Sequence, residues 1–315
     1  LLVGAPQALA LPGQGANRTG GLFACPLTPE LSDCWRVPID EGVDPQRESK
    51  ENQWLGVSVK SQGAGGKIVT CAHRYEVRHR VRQPLETRDV IGRCFVLSQD
   101  LRVRDELDGG EWKFCEGRPQ GHERFGTCQQ GLAAAFSPGT LRVEQLNQSS
   151  LDLLRLDAGP FEAGGEKDQD PSLIPVPANS YFGFSVDSGA GLTRRGGLSF
   201  VTGAPRANHT GAVVILRRDS ANRLVAEAVL AGPQLSSAFG HAVAVLDLNS
   251  DGWMDLVVGA PHFFERHEEI GGAVYVYINP GGHWDSATPL RLNGTRGSMF
   301  GTALSAAGDL NHDGF

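Results

Sequence analysis

The stretch "DLNSDGWMDLVVGAP", Asp247 to Pro261, decides how the chain is read. Asp247, Asn249, Asp251 and Asp255 fall within nine positions and run directly into an apolar segment. A polar turn joined without a spacer to a strand that must be buried implies a hairpin loop with a task of its own. Asp and Asn at alternate positions turn their oxygens to one side, and hard cations such as Ca²⁺ take about six to eight of them. Gly252 allows the sharp turn, Trp253 offers its main-chain carbonyl, and Asp255 closes the loop at the ninth position instead of the twelfth-position Glu of an EF-hand. The flanks "AVAVL" and "LVVGAP" read as strands, so a calcium ion here braces a hairpin. Asp309, Asn311 and Asp313 in "DLNHDGF" start the same pattern again. A solvated hairpin also uses Asp and Asn for turn chemistry. Recurrence at the same point of a repeat favours the cation.

That repeat organises the chain. "YFGFSVDSGAG…LSFVTGAP…GAVVIL" spans 181–216 and "AFGHAVAVLDLNSDGWMDLVVGAP…GGAVYVYIN" spans 238–279, with "MFGTALSAAGDLNHDGF" beginning a further copy at 299. Each reads Phe-Gly, a strand, a polar turn, a second strand, Gly-Ala-Pro, and a third strand opening Gly-Ala-Val. The marks at Phe182, Phe239 and Phe300 are 57 and 61 residues apart. Upstream, "RFGTCQQGLAAAF" sets a mark at Phe125, again 57 residues before Phe182, and "WLGVSVKSQGAGGKIVTCAHRY" reads as a variant with Leu55-Gly56 and Cys71-Ala72-His73. "LLVGAP" at 1–6 is the middle of a still earlier copy. Units of this length cannot bury both faces alone and are too short for a tandem of β-sandwiches, whose domains need about 100 residues. Stacked radially they make a β-propeller. The copy starting at Phe125 breaks the pattern: after "SPGT" the expected strand and Gly-Ala-Pro turn give way to a polar, acidic connector running to Asn179.

Composition narrows the class. A net charge of -7 argues against nucleic acid, which selects basic surfaces. No apolar run approaches the roughly 20 residues of a membrane-spanning helix. The opening residues carry neither Met nor a leader, so a fragment of a longer precursor is expected. The six cysteines, Cys25, Cys34, Cys71, Cys94, Cys115 and Cys128, form no C-x-x-C pair and favour disulfides in an oxidising compartment. Sequons at Asn17, Asn147, Asn208 and Asn293 agree with an extracellular chain. Enzyme signatures are missing: there is no G-x-S-x-G elbow or phosphate loop, and "HERFG" at His122 and "HEEIG" at His267 both fail H-E-x-x-H. No catalytic residue is assigned. "FFERHEE" at 263–269 reads as a charged loop rooted by Phe263 and Phe264, open to a partner.

Phe-Gly…Gly-Ala-Pro repeats with D-x-N-x-D-G-x-x-D loops resemble the head propeller of integrin α subunits. "NRTGGLFACPL", "ESKENQWLGVSVKSQG", "CAHRY", "GRCFV" and "GAPHFFERHEEIGGAVYVYIN" look like the laminin-binding subgroup. The resemblance implies an all-β, seven-bladed propeller of FG-GAP repeats, incomplete in this chain. Residues 1–50 would be a remnant of blade one, 51–120 blade two, and 121–180 a shortened blade three with its connector. Residues 181–235 would be blade four, 236–295 blade five and 296–315 the start of blade six. It implies sequential disulfides, Cys25–Cys34, Cys71–Cys94 and Cys115–Cys128. It also implies an adhesion receptor at the cell surface, the extracellular part of a single-pass membrane protein, paired with an integrin β subunit (beta-1) and binding laminin, with Ca²⁺ in the propeller hairpins. The absence of D-x-S-x-S and of a long insertion near 90–125 resembles the α subunits whose ligand sits on propeller and β subunit together. The family lines the propeller centre with rings that receive a basic side chain from β; Trp54 and Phe184 fit that pattern and His241 fits in part. Two other classes use such repeats, an accessory propeller of a secreted hydrolase and a calcium-dependent carbohydrate-binding module. The first needs a catalytic domain elsewhere, and the second needs a metal with open coordination.

Overall fold

Short runs of Val, Ile and aromatic residues between Gly-rich turns become strands and little else in the computed structural model of the chain. It describes residues 1–26, 28, 30–63, 65–104, 110–119, 121, 125–136, 175–177, 179–194, 196–218 and 224–306. The break after Pro138, the acidic connector, Asn147 and the Asp309, Asn311 and Asp313 set lie outside those residues. The rest is all-β, with antiparallel sheets and only single 3₁₀ turns, a partial β-propeller architecture. No helix among the described residues is long and apolar enough to cross a membrane. The chain divides into two compact units, Leu1–Arg155 and Leu156–Phe315.

In the first unit, β1 (Leu2–Ala5), β2 (Gly21–Ala24) and β3 (Trp35–Arg36) form one sheet. The strands that follow are β4 (Glu48–Ser49), β5 (Ser58–Ser61), β6 (Ile68–Ala72), β7 (Glu76–His79), β8 (Thr87–Val90), β9 (Arg93–Leu97) and β10 (Gly110–Trp112). They give a four-stranded sheet in the order β10-β9-β6-β5 and a three-stranded sheet β4-β7-β8. Disulfides join Cys25 to Cys34, Cys71 to Cys94 and Cys115 to Cys128. Cys71 and Cys94 are direct cross-strand partners on β6 and β9. The loop before β4 is fastened to this sheet by a buried charge cluster. Asp40 accepts from both Lys50 and Arg93, and Arg93 reaches Glu111 and the Gln53 Oε1, each at 3.0 Å. The Arg93 guanidinium stacks 3.9 Å from the Tyr75 ring centroid.

The second unit holds two meanders in sequence order: β11 (Ser185–Ala190), β12 (Leu198–Ala204), β13 (Ala212–Arg218) and β14 (Leu224–Ala231), then β15 (Ala242–Leu246), β16 (Asp255–Glu265), β17 (Ile270–Tyr277) and β18 (Leu290–Thr295). Val201, Val213 and Ile215 of the first pack with Phe239, Val243, Leu256 and Tyr275 around one buried core. Phe239 is fully buried, edge-on to Tyr275 at 5.3 Å. Burying such a ring is worth roughly 1.5–3 kcal/mol.

The repeat motif has a physical cause. The Gly of each Phe-Gly mark donates its N–H to the residue in the Gly slot of Gly-Ala-Pro within the same repeat: Gly183 to Gly203 at 3.1 Å, Gly240 to Gly259 at 3.0 Å, and Gly56 to Cys71 at 2.9 Å. The bond from Gly56 places Cys71-Ala72-His73 in the slot of Gly-Ala-Pro. The residue before that Gly forms a parallel bridge to the Gly that opens the preceding third strand: Leu55 to Gly20, Phe239 to Gly211, Phe300 to Gly272. The fourth such bridge corrects the sequence reading. It is Gln130, not Phe125, that bridges to Gly92. Phe125 instead starts a 3₁₀ turn with its ring buried, and Gly126 donates to Gly121. The residue before each mark confirms the register: Trp54, Gln129, Tyr181, Ala238 and Met299 all have φ between 50° and 63°.

Candidate functional site

The hairpin between β15 and β16 carries the acidic loop. Alternating polar residues here form Asx-type turns, because each short side chain reaches main-chain N–H groups two to five residues on. The Asp251 N–H lies 3.2 Å from both Asp247 Oδ1 and Asn249 Oδ1, Gly252 donates to Asp247 Oδ2 at 2.9 Å, and Trp253 donates to Asp251 Oδ1 at 2.8 Å. Three side chains thus converge on the inside of one turn. Asp255 is fully buried; one carboxylate oxygen accepts from the Leu248 N–H and the other from the Asn279 N–H, both at 2.8 Å. These donors are all hard oxygens, which fit Ca²⁺ or Mg²⁺ and not a soft transition metal. Among the described residues, no three His, Cys, Asp or Glu groups converge to hold an ion by themselves. A shell here would need Asn249 and the Trp253 carbonyl to complete it.

The equivalent hairpins lack this chemistry. Four residues before the Gly slot of Gly-Ala-Pro stands Asp255 in β16, Ser199 in β12 and Lys67 before β6. Lys67 donates to Ser98 Oγ at 2.8 Å, and Ser199 shares a 3.2 Å hydrogen bond with Thr193. A closing carboxylate is present only in the Asp247 loop among the three described four-stranded sheets.

The ring residues lie elsewhere. Phe184 and His241 come together at 4.8 Å, with His262 6.5 Å beyond His241. His241 precedes β15 and His262 lies late in β16, so this cluster sits at the opposite end of the β15–β16 hairpin from the acidic loop. Burial, and then the neighbouring His262, lowers the His241 pKa below the usual histidine value. Trp54 belongs to the first unit, at the register of Tyr181 and not of Phe184. It packs edge-on to His73 at 5.7 Å, and the Arg74 guanidinium lies 5.5 Å from its ring. His73 is buried with its Nδ1 unpartnered; burial, reinforced by Arg74, lowers its pKa to about 4. Asn17, Asn208 and Asn293 are exposed, as glycan attachment requires. Sequence reasoning missed Gln130, Asn279 and His262; His262 had a signal in its place directly after a Gly-Ala-Pro, Gln130 a weaker one in the Gly131 that follows it, and Asn279 none.

Comparison with known proteins agrees with this architecture. The FG-GAP repeat family model matches residues 239–277. The chain belongs to the integrin α family. Over 100% of its length it is 64% identical to integrin alpha-7 of Homo sapiens, 55% to integrin alpha-6 of Gallus gallus and 36% to integrin alpha-3 of Cricetulus griseus. It spans about a third of the length of these relatives, 31%, 31% and 30% respectively. The alignment to human alpha-7 runs to 371 positions against the 315 residues of this chain.

Proposed function

We propose that this chain is part of the ligand-binding head of a cell-adhesion receptor, an integrin α subunit. In this reading it pairs with a β subunit, beta-1 by resemblance, and binds laminin in a divalent-cation-dependent way at the cell surface. It has no catalytic role. The observation that carries the reading is the end-to-end identity to integrin alpha-7 and alpha-6, borne on repeats whose Phe-Gly and Gly-Ala-Pro residues make the same bonds sheet after sheet. The separation of the acidic loop from the ring cluster supports a division of labour. Asp247, Asn249, Asp251, Trp253 and Asp255 would hold Ca²⁺ as a brace, Asp309, Asn311 and Asp313 would begin a second such loop, and Phe184 and His241 would face the partner. Trp54, in the first unit, is a separate proposed partner contact. The blade boundaries at 50, 120, 180, 235 and 295, and the shortened third blade, belong to the same proposal.

The test is solid-phase laminin binding by a secreted ectodomain carrying this segment, co-expressed with beta-1, in Mn²⁺ and in EDTA. Binding in Mn²⁺ that EDTA abolishes is the expected result. Failure to pair with any β subunit would overturn the receptor reading. Pairing without laminin binding would overturn only the ligand assignment.

A further inference from the structure

Asn279 follows β17 and is 3% exposed. Its main-chain N–H donates to Asp255 Oδ1 at 2.8 Å. Its Nδ2 donates to the carbonyl of Met254 at 2.8 Å and lies 3.2 and 3.4 Å from those of Gly191 and Leu192. Its Oδ1 accepts from the Gly282 N–H at 2.6 Å. Gly191 and Leu192 belong to the β11–β12 hairpin, so one side chain joins the acidic hairpin, its own strand and the neighbouring sheet. Two further bonds cross the same junction: the Met254 N–H to Gly191 O at 3.3 Å and the Trp284 Nε1–H to Leu192 O at 2.8 Å. A primary amide offers two N–H donors for carbonyls beside a separate oxygen that accepts from an N–H; an ionised Asp cannot donate, and Ala does neither.

We infer that Asn279 is the positioning residue of the acidic loop, through which a divalent cation held there tightens the junction between the β15–β18 and β11–β14 sheets. The inference rests on the calcium reading of the loop. Asp255 is the closing carboxylate, and the Asn279 N–H fixes one of its oxygens while the Asn279 side chain fixes the adjoining Met254 carbonyl and the neighbouring hairpin. An ion that orders Asp255 therefore also orders the contacts of Asn279. Coupling of this kind is reciprocal: whatever loosens the junction weakens the ion by the same factor.

The experiment is hydrogen exchange with Ca²⁺ and with EDTA on the secreted ectodomain, for the parent, Asn279→Ala and the isosteric Asn279→Asp. Val214→Ala, a buried change away from the junction, serves as a stability control. In the parent and in Val214→Ala, Ca²⁺ slows exchange in both the 247–256 and the 190–198 peptides. In both Asn279 variants the slowing persists at 247–256 and is lost at 190–198, and in Asn279→Ala the Ca²⁺ dissociation constant rises about tenfold. Slowing at 190–198 that survives in both variants overturns the coupling. No Ca²⁺ effect on the 247–256 peptide of the parent overturns instead the calcium reading beneath it. Asn279→Asp keeps size and the Gly282 bond, so the test stands if Asn279→Ala does not fold.

Discussion

Asp255 and Lys67 occupy the same place in two hairpins: each stands one residue before the strand position that pairs outward, Leu256 with Tyr277 and Ile68 with Leu97. One fold position therefore carries a buried carboxylate in one sheet and an amine in another. Asp255→Asn keeps the size but leaves a main-chain donor without its acceptor, at a cost of about 1–3 kcal/mol. EDTA is expected to lower the melting temperature of the parent protein, because an ion that binds only the folded state stabilises it by mass action. In Asp255→Asn and Asp247→Asn that EDTA effect should shrink by this loop's share. Scanning calorimetry with and without Ca²⁺ checks this, and an unchanged EDTA shift in both variants would refute the loop as the ion's seat.

Gly203 and Gly252 separate steric from conformational cost. A methyl on Gly203 would overlap the Gly240 carbonyl, where two sheets meet. Gly252 has open space around it but a φ of 87°. Gly252→Ala should cost about 1 kcal/mol through the left-handed backbone alone. Gly203→Ala should cost about 3 kcal/mol, since backbone and not a flexible side chain must yield. Urea denaturation of the two variants gives both numbers; equal losses would contradict the close approach.

His73 gives the molecule an acid-sensitive point. The unfolded imidazole takes up a proton near pH 6.5, whereas the folded one resists until about pH 4. Between those values the unfolded state binds more protons, so stability falls as the pH falls through this window, by about 1–3 kcal/mol in all. Above pH 7 both states are neutral and the contribution is flat. His73→Gln should flatten the slope of stability between pH 6.5 and 4, measured by denaturant midpoints at half-unit steps.

Arg93 is the keystone of the charge cluster in the first unit. Its side chain is 3% exposed and touches Asp40, Glu48 and Glu111. Arg93→Leu leaves those carboxylates without their shared cation inside the protein and should cost about 3–5 kcal/mol. A loss under 1 kcal/mol by chemical denaturation would mean that water already serves them.

The repeat was legible because its residues do backbone work. Phe182, Phe239 and Phe300 mark their sheets by sequence alone, and Leu55 was readable because it pairs an apolar side chain with the following Gly. Gln130, which keeps only the Gly, was not. The bridge to Gly92 uses only main-chain atoms, so the ring can be dispensed with, and nearby Phe125-Gly126 supplied a false mark of the right spacing. The oxygens of the acidic loop were visible as spacing, because each side chain serves its own turn. Asn279 was hidden: apart from Gly282 its partners lie 24 to 88 residues away, and a lone Asn after a strand reads as a turn. Trp54 and Phe184 look alike as aromatic neighbours of a mark, yet one precedes it and the other follows it.

The left-handed residue ahead of each mark has a consequence for anyone who would remodel these repeats. Trp, Gln, Tyr, Ala and Met occupy one backbone conformation at positions 54, 129, 181, 238 and 299. The main chain there is held by backbone hydrogen bonds, joined at Met299 by one from the Thr302 hydroxyl, and none uses the displayed side chain, so the scaffold sets few demands on what it displays. β-Branched residues, which resist positive φ, and proline, whose ring fixes φ at about −65°, fall outside that tolerance. These five sites form a natural display library, where new recognition chemistry can be written without rewriting the fold.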